Sequence, residues 1–262
     1  MAVLQVVGGG KMGEALVGGL LAAGRAPADM RIVESDAGRV EVLAEALPGV
    51  EVTAEPGAAD GTVLAVKPND VAAVCRSVAA AGGGRVLSIA AGVTIAALEG
   101  DLAPGTAVVR AMPNTPAVVG KGAAAIAGGT SATDDDLAWA ESILGAVGTV
   151  VRVDEALLDA VTGLSGSGPA YVFLVAEAMI AAGVDAGLPR EVSYGLTVQT
   201  LLGAATLLAQ SDQGPEALRA AVTSPNGTTA AGLAVLDEMG VREAFNAAIA
   251  AATARSKELG AG

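Results

Sequence analysis

Apolar positions follow two different rhythms along this chain. In the first part they gather in short unbroken runs: Leu4-Gln5-Val6-Val7, Met30 to Glu34, Val50 to Thr53, Thr62 to Val66, Arg85 to Ala90, Thr106 to Ala111 and Thr149 to Val153. Runs of this length, rich in β-branched residues and bounded by Gly and Pro, predict strands, the one at Thr62 to Val66 a buried one. Between them the apolar residues are spaced for amphipathic helices, as at Ala15, Leu16, Leu20 and Leu21. A further helix begins near Asp134, with Trp139 as its core anchor. Strand and helix alternating in this way predict an α/β, doubly wound parallel sheet. Beyond Asp154 the rhythm changes to long Ala- and Leu-rich helical runs, broken at Gly183 to Pro189, Gln213 to Pro215 and Ser224 to Gly227. The expected organisation is an α/β domain over residues 1–154 and an all-α domain over residues 155–262.

Ligands of doubly wound sheets sit beyond the carboxyl ends of the strands. The first segment there is Gly8-Gly9-Gly10-Lys11-Met12-Gly13, between the first strand and the first helix. In the spacing Gly8-x-Gly10-x-x-Gly13, the first glycine permits a tight turn, the second lets backbone approach a pyrophosphate, and the third lets helix pack close on strand. The helix then directs free N–H groups and the positive end of its dipole at the phosphates. Glu34 closes the second strand about twenty residues later, as a ribose-binding acid would. This context makes the first domain Rossmann-type and a dinucleotide its expected ligand. On the same edge lie Ser35 to Arg39, Lys67-Pro68, Ala90-Ala91-Gly92 and the rigid Met112-Pro113-Asn114-Thr115-Pro116.

Composition narrows the partners. A net charge of −13 argues against nucleic acid and anionic membranes. Long-range repulsion of an anionic cofactor is largely screened beyond a Debye length of about 8 Å, so Lys11, Arg39, Lys67 and Arg110 are the local groups to consider. Aromatic residues make up only 2% of the chain, so the core must be built from Ala, Val, Leu and Ile. The single cysteine, Cys75, reads as a small buried apolar residue. Lys11 and Glu14 interrupt the first apolar run, and Glu177 and Asp185 the one after Tyr171, leaving less than the roughly 20 residues a membrane span needs. With no signal pattern at the start, a cytoplasmic protein is expected.

Two segments of the second half go beyond plain helix packing. Gly163-Leu164-Ser165-Gly166-Ser167-Gly168-Pro169-Ala170-Tyr171 puts small residues and a proline into an apolar helix, where Gly costs roughly 1 kcal/mol and Pro about 3. Thr223-Ser224-Pro225-Asn226-Gly227-Thr228-Thr229 precedes another helix, and its hydroxyls and free N–H groups suit a carboxylate. These two segments, with Gly8 to Leu16, Ala65 to Pro68, Ala90 to Val93 and Arg110 to Pro116 in that order, resemble the pyrroline-5-carboxylate reductase family. The resemblance runs through nearly the whole chain.

It implies that NAD(P)H lies along the first domain, held by Gly8, Gly10, Lys11, Met12, Gly13, Glu34, Ser35, Arg39, Ala65, Val66, Lys67, Pro68, Ala91, Gly92, Met112, Pro113 and Asn114. It further implies that 1-pyrroline-5-carboxylate lies between the nicotinamide and the C-terminal helices. Ser224, Gly227, Thr228 and Thr229 would receive its carboxylate, and the Thr229 hydroxyl would contact the ring nitrogen. The family usually has glycine where this chain has Asn226, so that backbone must tolerate a side chain, which Asn does best in a left-handed conformation. The family also forms dimers through its helical domain, so a homodimer or higher homo-oligomer is expected.

The residue types fit this chemistry. The chain has no histidine, the usual base for managing a hydroxyl proton. A protonated imine accepts hydride directly, and orientation alone contributes about 7–11 kcal/mol. A β-hydroxyacid dehydrogenase would need a lysine a few residues after Gly168, but Pro169-Ala170-Tyr171-Val172-Phe173 follows. A non-catalytic sensor of NAD(P) would not need the Thr228-Thr229 pair. For the cofactor, Glu34 would repel a 2′-phosphate by up to about 4 kcal/mol at 4 Å in an effective dielectric of 20. Ser35 and Arg39 could accept that phosphate if Glu34 pointed away. The family commonly uses NADPH and several members accept both, so NADPH is expected, with NADH as the alternative.

Overall fold

The computed structural model describes residues 3–260. Contacts divide the chain into two compact units, one formed by residues up to Ser167 together with those from Ala250, the other by Gly168–Ile249.

The first unit is built on an eight-stranded sheet: β1 Leu4–Val7, β2 Met30–Val33, β3 Glu51–Thr53, β4 Gly61–Leu64, β5 Arg85–Ser88, β6 Val108–Met112, β7 Gly122–Gly128 and β8 Gly148–Arg152. Their spatial order is β3-β2-β1-β4-β5-β6-β7-β8. The first six run parallel, with β1 between β2 and β4. The order therefore reverses beside β1, which puts the topological switch point at the glycine turn. Every residue of β1 and of β4 is buried, as strands covered on both faces require. Helices α1 Lys11–Ala22, α2 Ala37–Ala46 and α5 Asp134–Leu144 send Leu16, Val17, Leu20, Leu43, Ile143 and Leu144 into one core cluster. Helices α3 Val71–Ala81 and α4 Ile95–Asp101 send Val71, Cys75, Val78 and Leu98 into a second. The sheet is thus wound on both faces.

β7 departs from the sequence reading, which had no strand between Pro116 and Gly128. It runs antiparallel to β6 and parallel to β8. Its sequence, Gly-Ala-Ala-Ala-Ile-Ala-Gly, carries almost no local β preference; pairing on both sides makes it a strand. Trp139 is half-buried rather than a deep anchor, packed against Gly61 with the Arg85 guanidinium 4.6 Å from its ring centre.

The segment from Gly163 to Tyr171 is likewise not a helix interior. Helix α6, Leu158–Val161, loosens into a π turn over Thr162–Gly166, and α7, Gly168–Asp185, begins afresh. Pro169 therefore occupies the first turn of α7, where its missing N–H is no loss, and the large helix penalty does not arise. The end of the last helix, α11 Val241–Gly260, belongs to the first unit, where Ser256 Oγ donates to Asp159 of α6 at 2.7 Å.

The second unit contains α7, α8 Arg190–Gln210, α9 Pro215–Ala221, α10 Thr228–Glu238 and the start of α11. α7 and α8 pack closely: Ser193 Oγ donates to the Ile180 carbonyl at 2.8 Å, and a Cβ on Gly183 would meet that hydroxyl at 2.3 Å. Their other faces expose Phe173, Leu174, Leu196 and Leu202, each about 60% accessible in the isolated chain. Contrary to the sequence expectation, charged residues do not leave these runs too short. The stretch Glu155–Asp185 and α8 are each long and apolar enough, by length and composition, to cross a membrane.

Candidate active site

The three glycines of the motif are required for three different reasons. Gly8 has φ +105°, donates its N–H to the Val33 carbonyl at 2.9 Å, and would put a Cβ 2.5 Å from the Ala65 carbonyl oxygen. Gly13 would put one 2.0 Å from the Gly8 oxygen, so its absence of a side chain lets α1 lie against the turn. At Gly10 an added Cβ would meet nothing within 4 Å. Its bareness serves no internal contact and leaves open space in front of the backbone. Gly10 is also the N-cap of α1, and no side chain caps that helix. An open cradle at an uncapped helix start fits a pyrophosphate. Lys11 is exposed beside it, while Met12 packs on the first core cluster.

Gly9 and Glu14, to which the sequence assigns no site role, complete this turn together with Asp36, a candidate N-cap by sequence. Gly9 is held through both of its flanking peptides: its N–H donates to Glu34 Oε2 at 3.1 Å, and its carbonyl accepts from Arg39 Nε at 2.6 Å. A Cβ on Gly9 would meet Leu43 at 2.3 Å. Arg39 also pairs with Glu14 through Nη2. The second oxygen of Glu34 accepts the Asp36 N–H at 2.9 Å, and Asp36 Oδ1 caps α2 by accepting the Arg39 N–H at 2.7 Å. Glu34 thus faces into its own loop, and Arg39 is engaged elsewhere. Ser35 is exposed next to them.

On the neighbouring strand ends, Ala65 donates its N–H to the Val7 carbonyl at 2.8 Å and backs Gly8 with its own carbonyl. Val66 packs on the second core cluster, while Lys67 and Pro68 are exposed. Ala91 is exposed, and Gly92, with φ +77°, lies against Leu259 near the end of α11. Met112 touches the π turn, where a Cβ on Gly166 would meet its Cε at 2.5 Å; Pro113 adjoins it, half-buried. Asn114 uses both ends of its amide within the protein, donating to the Ser165 carbonyl at 3.0 Å and accepting from the Ala123 N–H at 2.8 Å. Arg110 is buried and donates to Glu155 Oε1 at 2.8 Å, which also accepts the Ile95 N–H. Of the four cations considered above, Arg39 and Arg110 are therefore committed to ion pairs, and Lys11 and Lys67 form none among the described residues.

In the second unit, Ser224 to Thr229 forms a tight turn into α10. Gly227 donates its N–H to the Ser224 carbonyl at 3.0 Å, and a Cβ there would stand 2.4 Å from Ser224 Oγ. Asn226 has φ 58°, the one left-handed non-glycine among the described residues, as its identity led us to expect. No side chain caps α10, and Ser224, Thr228 and Thr229 are exposed at its start. Free N–H groups with hydroxyls around them can receive a carboxylate. No cluster of His, Cys, Asp and Glu able to hold a metal occurs among the described residues.

Comparison with known proteins agrees with both halves. Residues 155–259 match the family model of pyrroline-5-carboxylate reductase dimerisation, and residues 3–92 that of the coenzyme F420-dependent NADP oxidoreductases. The pyrroline-5-carboxylate reductase of Corynebacterium melassecola is 41% identical over 268 residues, covering 99% of each chain. The structure of that enzyme from Coxiella burnetii superposes with a TM-score of 0.93 at 37% identity, covering 98% of each chain. That of the Plasmodium falciparum enzyme, solved with NADP bound, gives 0.86 at 29% identity, covering 99% of this chain and 98% of its own. On this similarity, the chain belongs to the pyrroline-5-carboxylate reductase family.

Proposed function

We propose that this protein reduces 1-pyrroline-5-carboxylate to L-proline, the last step of proline biosynthesis, with NADPH or NADH as reductant. The observation that carries the reading is the uncapped start of α10, where Thr228 and Thr229 stand exposed behind a turn shaped by Asn226 and Gly227. The cofactor supplies the hydride. The protein's part is to bind, orient and hydrogen-bond. Gly8 to Gly13 and the first turn of α1 hold the pyrophosphate; Glu34 and Ser35 meet the adenosine ribose, with Arg39 beside them. Ala65 to Pro68, Ala91-Gly92 and Met112 to Asn114 line the rest of the cofactor path.

Ser224, Gly227 and Thr228 receive the substrate carboxylate through N–H and hydroxyl donors. Thr229 Oγ hydrogen-bonds the ring nitrogen, which carries the proton that makes the C=N carbon electrophilic. Because the imine brings its own proton, no histidine is needed, and the chain has none.

In this reading residues 1–154 are the cofactor domain and residues 155–262 the substrate and dimerisation domain. The exposed apolar faces of α7 and α8 are covered by a second copy of the chain, which accounts for their hydropathy without a membrane. The enzyme is cytoplasmic. The test mixes purified protein with 1-pyrroline-5-carboxylate and each reduced cofactor and follows loss of reduced-nicotinamide absorbance. Turnover to proline is expected; cofactor binding with no turnover would replace the reductase by a dinucleotide sensor.

A further inference from the structure

The end of β2 is where a dinucleotide's adenosine ribose is read, its 2′ position taken by an acid when it is a hydroxyl and by a cation when it is phosphorylated. In this chain that segment runs Glu34-Ser35-Asp36-Ala37-Gly38-Arg39 and contains two acids and one cation. Both oxygens of Glu34 already accept backbone N–H groups, from Gly9 and Asp36, so its carboxylate is fixed in place. A carboxylate oxygen has a second lone-pair direction, so Glu34 can still accept a ribose hydroxyl. The one cation is withdrawn: Arg39 Nε donates to the Gly9 carbonyl and Nη2 pairs with Glu14. The Arg39 and Glu14 side chains retain 27% and 34% of their accessibility, so the pair is reachable from solvent.

We propose that Glu14 sets the choice between the two dinucleotides by holding Arg39 away from the ribose, so that Arg39 takes a 2′-phosphate only by exchanging it for Glu14 and the Gly9 carbonyl. The proposal rests on the cofactor reading above and assigns a selecting role to a residue outside the ribose segment. A 2′-hydroxyl asks for no exchange of ion-pair partners, since Glu34 keeps lone pairs to accept it. A 2′-phosphate meets Glu34 and Asp36 and must compete with the Glu14 carboxylate for this segment's one guanidinium. Glu14 is thus a positioning residue that acts through Arg39, and it also links the 2′ end of the cofactor to the glycine turn, because the same guanidinium steadies the Gly9 peptide.

The experiment measures NAD+ and NADP+ affinity by titration calorimetry for the full chain and for Glu14→Gln, Arg39→Gln and the double variant. A partly exposed pair is worth at most about 1 kcal/mol, so Glu14→Gln should raise the ratio of NADP+ to NAD+ affinity about fivefold. NAD+ affinity should stay within about twofold, which also reports that the turn has kept its shape. Arg39→Gln should lower the ratio, and adding Glu14→Gln to it should then change nothing. An unchanged ratio in Glu14→Gln overturns the proposal. So does an equal shift in both backgrounds, which would mean that Glu14 acts through its charge alone. Failure of the unaltered protein to bind either dinucleotide would instead remove the cofactor reading, and the proposal with it.

Discussion

Gly10 and Gly13 are three residues apart in one motif, yet alanine should fail at them for opposite reasons. At Gly13 the new Cβ would lie 2.0 Å from the Gly8 carbonyl oxygen. Neither atom can swing away, because both are fixed to backbone. Overpacking of this kind costs about 1–3 kcal/mol or more, and in a protein of this size each kcal/mol lowers Tm by roughly 2–4 °C. A drop of about 5 °C or more is expected for Gly13→Ala, with cofactor affinity lost as the turn shifts. Gly10 has φ −66° and ψ −178°, which any residue adopts, and open space around its Cβ position.

For Gly10→Ala, the gain from a stiffer unfolded chain is about 0.4–1 kcal/mol and the poorer N-cap costs a similar amount. The two nearly cancel, so Tm should hardly move. On the proposed cofactor placement, however, the methyl group stands where the pyrophosphate approaches. Loss of one hydrogen bond to a charged group, worth about 1.5–3 kcal/mol, weakens binding about 10- to 100-fold. Thermal melts with and without NADP+, together with titration calorimetry, separate the two effects. Unimpaired NADP+ binding by Gly10→Ala would refute the placement of the pyrophosphate. An unchanged Tm in Gly13→Ala would refute the packing argument.

Thr229→Val removes the proposed hydrogen bond to the ring nitrogen and should lower kcat about 100-fold while leaving cofactor KM within about twofold; equal activity in steady-state assays would remove Thr229 from the mechanism. Phe173→Asp with Leu202→Asp should convert the oligomer to monomer in sedimentation velocity, and an unchanged profile would exclude the α7 and α8 faces as the interface. Burial in the second core cluster, with a smaller contribution from Asp101, pushes the Cys75 thiol from 9.0 up to about 11, against the lowering effect of Arg76. Between those values the unfolded chain holds fewer thiol protons than the folded one, so stability should fall as pH rises from about 9 towards 11. A Cys75→Ser variant, compared by denaturant melts across that range, should lose this slope. At pH 8 a thiol reagent should label Cys75 only on unfolding.

What could be read from the sequence was mostly what local chemistry dictates. The β1 turn announced itself because glycine spacing and an apolar strand are adjacent in the chain. Asn226 was legible because the cost of a left-handed backbone belongs to the residue itself. β7 was not, since alanines become a strand only when β6 and β8 supply the hydrogen bonds on either side. The π turn at Thr162–Gly166 was hidden for a related reason. Gly and Pro signal a break in helix, but whether the break is a kink, a π turn or a fresh start depends on what packs there.

The least legible feature was the direction of Glu34. By sequence it is an acid at the end of β2, equally able to face a ribose or to turn away. Its orientation is decided by the Gly9 N–H, twenty-five residues distant, and that of Arg39 by Glu14, also twenty-five distant. Both partners belong to the glycine turn, and the turn in turn owes the fixed orientation of the peptides flanking Gly9 to Glu34 and Arg39. If cofactor choice is set as proposed, it does not reside in the ribose segment alone: a substitution at Glu34 or Arg39 should also disturb the glycine turn, and one at Glu14 should change the reading of the 2′ group.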